Sequence, residues 1–478
     1  MSAVPDQLAQ PAMPRDGTAQ VALPRNRRNA ELAMLAFAVA IMAFAFADAG
    51  FGLNGHLPSG LVTYVAGFAV LLVAAHFAVR WLAPFADPLL LPLAAVLNGL
   101  GIAMIYRLQE SGRGNNPGFI ISTLTAHAAL TQLMYTGVGV AVFIALLALV
   151  RDLRVLKRYT YTLGTIGLVL LAIPALLPSS HSAVNGAKAW IIFGSFSLEP
   201  GEFAKILLAI FFAGYLVNKR DVLALAGRRV LGIDLPRVRD MGPVLVVWAV
   251  SLLMLVFESD IGTSALFFGL FLAMLYIATQ RTSWLLIGIL LFVFGAGITA
   301  QLFSHVMDRF TLWFHPFAGA NEYGQLAQGL EGMAFGGIFG TGLGQGEPFR
   351  TALVQSDFIV TGLGEELGLT GLMAILLIFG LIVQRGLRAS VAVRDPFAKL
   401  LAGGLAFALA LQIFIIVGGV TQLIPLTGIT TPFLSQGGSS LIASWAVIAL
   451  LMRISDAARK PAPQPIQDEG LTQVVRAV

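Results

Sequence analysis

Three carboxylates fall within ten residues of one another, in Gln355-Ser356-Asp357-Phe358-Ile359 and Gly364-Glu365-Glu366-Leu367-Gly368, where a long polar stretch runs into an apolar helix. A charged carboxylate at the centre of a membrane helix costs roughly 2.5–3.5 kcal/mol on insertion scales, so such groups are kept for a reason. Asp357, at the helix entry, could cap the first turn by accepting a backbone N–H. It could equally serve as a general base, a role suited to a carboxylate held partly out of water. Glu365 lies close to the same helix face, eight residues on. With Glu366, these acids suggest a cavity with Asp357 at its mouth.

Glu202 and Lys205, in Pro200-Gly201-Glu202-Phe203-Ala204-Lys205, share a helix face at i, i+3. They can close a helix start as an ion pair, or line a cavity with Lys205 facing a phosphate. Asp260, in Glu258-Ser259-Asp260-Ile261-Gly262-Thr263, suits a helix cap or a metal- or sugar-binding turn. Further on come Asp308-Arg309-Phe310, Trp313, Pro316, Gln325 and Gln328, then the glycine run 336–344. Arg309 can meet a phosphate or a loop carboxylate. A dinucleotide fingerprint needs a strand before the glycines and a helix after them. Neither is evident, so the run reads as a close-packed loop folding back over a cavity. Near the C-terminus, Pro432-Phe433-Leu434-Ser435-Gln436-Gly437-Gly438-Ser439-Ser440 marks irregular backbone at membrane depth, which must line a cavity or pack on protein.

These residues are embedded in a chain built for lipid. Of 478 residues, 57% are hydrophobic and 12% charged, against about 25% charged in soluble domains, and the mean hydropathy is +0.83. There is no cysteine, hence no disulfide and no thiolate chemistry. The fold expected is all-α and polytopic. Apolar runs long enough to cross fall near 31–50, 60–82, 87–107, 131–150, 159–178, 200–217, 241–257, 261–279, 283–302, 358–383, 398–420 and 435–454, twelve in all. Residues 1–29 and 458–478 read as disordered tails, and no cleavable signal peptide is evident in the first. Two connections stand out: 303–357, a long loop, and 179–199, whose Trp190-Ile191-Ile192-Phe193 run is too short to cross and reads as re-entrant or interfacial.

Twelve spans put both termini on one side. That side holds 24 of the 30 Lys+Arg; the other holds Arg107, Arg113, Lys188, Lys205, Arg309 and Arg350. The positive-inside rule therefore predicts cytoplasmic termini, with Asp357 and the long loop facing outward. Chemistry on that face lacks ATP and nucleotide sugars, so its donor must be pre-activated, most simply as a lipid-linked compound.

In order along residues 90–455, Asn185-Gly186-Ala187-Lys188-x-Trp190, Pro200-x-Glu202-x-x-Lys205, Asp260-x-Gly262-Thr263, the Arg309–Trp313–Pro316–Gln325 loop, Asp357-Phe358-Ile359 with Glu365-Glu366-Leu367-Gly368, and Pro425-Leu426-Thr427-Gly428 with Pro432–Ser440 resemble the signatures of the shape, elongation, division and sporulation (SEDS) family. The resemblance implies a core at 87–457 with an extra helical pair at 30–86. It implies a peptidoglycan glycosyltransferase that polymerises lipid II outside the membrane with inversion at the anomeric carbon, and a class B penicillin-binding protein as partner. Asp357 maps to the family's catalytic aspartate, and Glu202 and Lys205 to its central cavity. Lys188, Arg309, Asp260, Gln325, Glu366, Ser439 and Ser440 complete the candidate substrate-binding set, with Mg2+ or Mn2+ as a candidate cofactor. The sequence departs from the family at Ala189, where an Arg is common, leaving Lys188 to serve. It departs again at Leu353-Val354-Gln355, which replaces a Pro-Glu pair. The extra pair and Thr430-Thr431 favour an elongation-type enzyme. A lipid II flippase and a non-catalytic scaffold for the transpeptidase are the alternatives.

Overall fold

A computed structural model of the chain describes residues 28–113, 127–182, 188–194, 196–223, 226–230, 233–236, 241–242, 245–250, 253, 261–302, 304–317 and 324–461. The principal elements are α1 (Arg28–Asn54), α2 (Leu61–Leu82), α3 (Leu90–Arg113), α4 (Ala128–Leu149), α5 (Arg154–Arg158), α6 (Thr160–Leu176), α7 (Ser179–Ser182), α8 (Pro200–Leu223), α9 (Ile261–Thr279), α10 (Thr282–Leu302), α11 (Ser304–Phe314), α12 (Gln325–Gly336), α13 (Ile359–Ala392), α14 (Pro396–Val420) and α15 (Gly438–Arg459). Two small hairpins interrupt them, β1 (Ile191–Phe193) with β2 (Phe196–Leu198), and β3 (Ala226–Val230) with β4 (Ile233–Pro236).

Ten of these helices are long and apolar enough to cross a membrane, and the 17-residue α6 makes an eleventh match to the expected spans. Most of the expected span 241–257 lies outside the described residues. The Leu223 carbonyl accepts from Trp284 Nε1 at the start of α10, while the start of α9 packs against Thr427 and Ile429.

The helices that the rest of the bundle encloses are α3, α8, α9, α14 and α15, whereas α1, α2 and α10 turn large apolar side chains such as Phe37, Phe44, Val62, Leu290 and Val293 outward. An exposed apolar surface of that extent is expected where lipid, not water, is the solvent. The extra pair is fastened to the core: α1 lies on α3, with Gly99 against Met42, and α2 on α4, with Gly67 against Leu133. Phe46 stacks on Tyr106 at 4.0 Å between ring centres.

Two connections take defined form. In the segment expected to be re-entrant or interfacial, Ile191–Phe193 pairs with Phe196–Leu198 as an antiparallel hairpin, Ile191 opposite Leu198; strand pairing satisfies backbone groups that a short apolar run could not satisfy alone. The long loop 303–357 holds two helices, α11 and α12, and a 3-10 turn at Pro348–Arg350.

The longest helix is broken. Within α13, Gly368 sits at φ 68°, ψ −173°, far from helical values. A break frees carbonyls and amides that must find partners, and the glycine run supplies them. Thr341 N donates to the Glu365 carbonyl at 3.0 Å and Gly342 N to that of Glu366 at 2.9 Å. Leu369 N and Thr370 N in turn donate to the carbonyls of Gly337 and Ile338, both at 3.0 Å. A side chain at Gly340 would overlap the Glu366 carbonyl, so only glycine allows the two backbones this close. The expected loop over a cavity is thus a strap lying on a helix break.

Candidate active site

Asp357 ends a tight turn from Thr351, in which Leu353 takes a positive φ of 58° and its carbonyl accepts from Ser356 N (3.0 Å) and Phe358 N (3.2 Å). The N-cap of α13 is Phe358, fully buried, so Asp357 stands before the helix rather than capping it. Asp357 is half-buried. The preceding backbone is clamped by the C-terminal turn: Ser435 Oγ donates to the Ser356 carbonyl at 2.5 Å, and Gln436 N to that of Gln355 at 2.7 Å. That turn is held in place by Gln132 of α4, whose Nε2 donates to the Ser435 carbonyl at 3.0 Å. The Pro432–Ser440 signature therefore works as a positioning device for the acid.

Arg309 reaches the same place from α11. Its Nη1 donates to the Leu426 carbonyl at 3.2 Å, and Trp313, one turn on, donates from Nε1 to the Gln422 carbonyl at 2.8 Å. The two contacts fix α11 to the segment after α14. Gly428, at φ 78°, is the meeting point: a Cβ there would lie 3.7 Å from Asp357 Oδ2, 3.8 Å from Arg309 Nη1 and 3.9 Å from Nη2. A carboxylate and a guanidinium thus flank one bare patch of backbone.

Two residues further on, the same segment meets the buried cluster of Glu202, Lys205 and Gln412. Lys205 Nζ donates to Glu202 Oε2 and to Gln412 Oε1, both at 2.7 Å. Gln412 Nε2 donates to the Thr430 carbonyl at 3.1 Å and to Glu202 Oε1 at 3.3 Å. A cavity of about 20 Å3, room for a water molecule, lies beside Lys205, Gln412, Pro432 and Phe433. Gln412 escaped the sequence reading, although a lone Gln in the otherwise apolar stretch 400–420 is a detectable signal.

The remaining candidates are dispersed. Glu366 is fully buried in an ion pair with Arg107 and accepts from Gly344 N at 3.1 Å. Arg107 also donates to the Gly346 carbonyl and, at 2.6 Å, to Ser111 Oγ. Glu365 accepts from Glu347 N at 2.5 Å. The two glutamates therefore anchor the glycine strap; they do not open a cavity behind Asp357. Ser439 Oγ accepts from Glu199 N at 2.9 Å, tying α15 to the entrance of α8, while Ser440 Oγ is buried without a hydrogen-bond partner among the described residues. Gln325 opens α12 and Lys188 precedes β1, both half-buried. Asp260 lies outside the described residues. Among the described residues no three His, Asp or Glu side chains converge as a metal site.

Residues 88–460 match the FtsW/RodA/SpoVE model, described as a cell cycle protein. The chain belongs to this family. A Mycobacterium tuberculosis protein named peptidoglycan glycosyltransferase RodA is 48% identical over 440 residues, 91% of this chain and 92% of its own. Two solved structures share the fold. The Thermus thermophilus rod shape determining protein RodA matches with a TM-score of 0.52 at 23% identity, over 79% of this chain and 98% of that one. A chain from a peptidoglycan synthase complex that coordinates polymerization and crosslinking also matches with a TM-score of 0.52, at 22% identity, over 83% of this chain and 97% of that one. Of the ordered signatures, those of Arg309, Asp357 and residues 425–428 meet at Gly428.

Proposed function

We propose that the chain is a peptidoglycan glycosyltransferase of the elongation type, polymerising lipid II with Asp357 as general base. The observation that carries this is the approach of the Asp357 carboxylate and the Arg309 guanidinium to the same point beside Gly428. A base and a fixed cation side by side are what a glycosyl transfer with a pyrophosphate leaving group requires. Asp357 takes the proton of the acceptor sugar hydroxyl as that oxygen attacks the donor's anomeric carbon. The C–O bond to pyrophosphate breaks on the opposite face, the centre inverts, and undecaprenyl pyrophosphate departs with the bonding electrons.

Arg309 is the cation best placed to hold that leaving charge, because Lys205 is already engaged by Glu202 and Gln412. Lys205 with Glu202 shapes the floor of the site, and Lys188, Gln325, Ser439 and Ser440 remain candidate substrate contacts, as does Asp260, which lies outside the described residues. Mg2+ or Mn2+, if held by Asp357, would supply further positive charge for the leaving group, which chelation tests directly. Support for the activity comes from the 48% identical relative, named for it, and support for a class B penicillin-binding protein as partner from the fold shared with a chain of a polymerising and crosslinking complex. The basic bias of the loops supports cytoplasmic termini and an outward Asp357.

The test is polymerisation of purified lipid II by the purified protein, alone and with a class B penicillin-binding protein. Asp357→Asn should lose at least about a hundredfold in rate, the lower bound for a general base, while keeping the wild-type melting temperature. Glycan chains formed at the wild-type rate by that variant would overturn the assignment.

A further inference from the structure

One cavity is nowhere near Asp357. It holds about 500 Å3 at the far end of the bundle, where α2, α4, α13 and α15 finish and α14 begins. Its polar lining includes Arg151, Arg154, Arg453 and Lys460, with Trp81 at the rim, 76% exposed. Three acids share the lining, and each is already occupied. Asp456 Oδ1 accepts from Phe85 N at 2.8 Å and Oδ2 faces Arg453 at 3.7 Å. Asp395 accepts from Ala398 N at 3.1 Å and Asp152 from Arg154 N at 2.9 Å. The bases are not so matched: Arg151, Arg154 and Lys460 are exposed and make no ion pair with the described residues. Arg453, by contrast, is buried. Two of its nitrogens donate to the carbonyls of Leu82 and Leu147, but its Nε, also buried, has no hydrogen-bond partner among the described residues. Four cations against three carboxylates leave the lining net positive, and a buried donor among the cations is unused, which suits an anion with several acceptor oxygens.

We propose that this cavity binds the head group of an anionic phospholipid from the leaflet at that end of the bundle. A lipid suits the surroundings better than a soluble anion, for Trp81 lines the cavity and exposed apolar side chains lie two residues before lining positions in the chain, Leu149 before Arg151 and Val391 before Val393. An indole at a membrane–water boundary places its ring among acyl chains and its N–H among head groups. Basic pockets between membrane helices recognise phosphodiester head groups in this way.

The experiment uses the full chain reconstituted in phosphatidylcholine with or without phosphatidylglycerol, reading thermal midpoint and, by native mass spectrometry, phosphatidylglycerol retained per protein. The Arg151→Ala/Arg154→Ala double variant is compared with Arg388→Ala/Arg394→Ala, which removes equal charge from exposed positions near the end of α13 that do not line the cavity. Phosphatidylglycerol should raise the wild-type midpoint and remain bound. The first variant should retain it roughly thirtyfold more weakly, two basic groups at about 1 kcal/mol each, and melt like wild type in pure phosphatidylcholine. The second variant should behave as wild type. Equal losses in both variants, no loss in either, or a midpoint shift reproduced by inorganic phosphate or an acidic peptide in pure phosphatidylcholine would each overturn the proposal.

Discussion

The hydroxyl of Ser435 donates a 2.5 Å hydrogen bond to the carbonyl of Ser356, the residue immediately before Asp357. The same oxygen accepts from Thr431 N at 2.8 Å, so one side chain ties two turns together. Ser435→Ala removes the tie without adding bulk. A single net hydrogen bond is worth about 0.5–1.5 kcal/mol, so kcat for lipid II polymerisation should fall between about twofold and tenfold. The melting temperature should change little, and KM should stay near its wild-type value. A fall confined to KM would place the serine in substrate binding instead.

Arg309→Ala should cost more. Removing one preorganised electrostatic group of this kind costs about 2.7–4 kcal/mol, a loss of a hundredfold or more in kcat. Arg309→Lys keeps the charge but not the forked geometry that spans Leu426 and Gly428, so partial recovery is expected. Single-turnover rates on the three proteins check the order wild type, Lys, Ala.

Arg107 and Glu366 make a fully buried pair. Breaking such a pair by removing one partner costs about 3–5 kcal/mol, because the other charge is left stranded. Arg107→Met alone should therefore lower the melting temperature sharply, and Arg107→Met with Glu366→Leu should recover much of the loss. Thermal denaturation of the purified proteins checks the cycle; additive losses would show that the two residues do not act as a pair.

Gly368→Ala should also destabilise, by about 1–3 kcal/mol for a non-glycine residue held in a sparsely populated region. The added methyl would further press on the Gly340 amide across the strap. Hydrogen exchange at the Thr341 and Gly342 amides should quicken in this variant before the rest of α13 responds, which distinguishes release of the strap from global loss of stability.

The spans were legible because an apolar run of twenty residues has few other uses, and the residues around Gly428 because their types are costly to place in lipid. Contacts distant in sequence were not legible. Nothing local to Glu366 announces Arg107, 259 positions earlier, so its carboxylate read as part of a cavity rather than as an anchor. The Phe358 cap was hidden for a similar reason: Asp is the better capping residue, and only the clamp from Ser435 and Gln436 draws Asp357 out of that role. The helices inside 303–357 were masked by glycine and aromatic content, which favours loops by composition. Trp313 and Arg309 secure one of them through contacts to a segment more than a hundred residues away.

The break at Gly368 has a mechanical consequence. The strap grips α13 through two backbone hydrogen bonds on either side of the break, and the longer piece beyond it runs to the opposite end of the bundle with side chains such as Met373 and Leu377 facing outward. A bilayer that thickens, thins or bends exerts its torque on the longer piece, and tilt is how helices relieve such mismatch. A glycine joint absorbs rotation that a continuous rod would transmit. The strap, bonded to both sides of that joint, limits how far tilt of the longer piece can displace the end that bears Asp357.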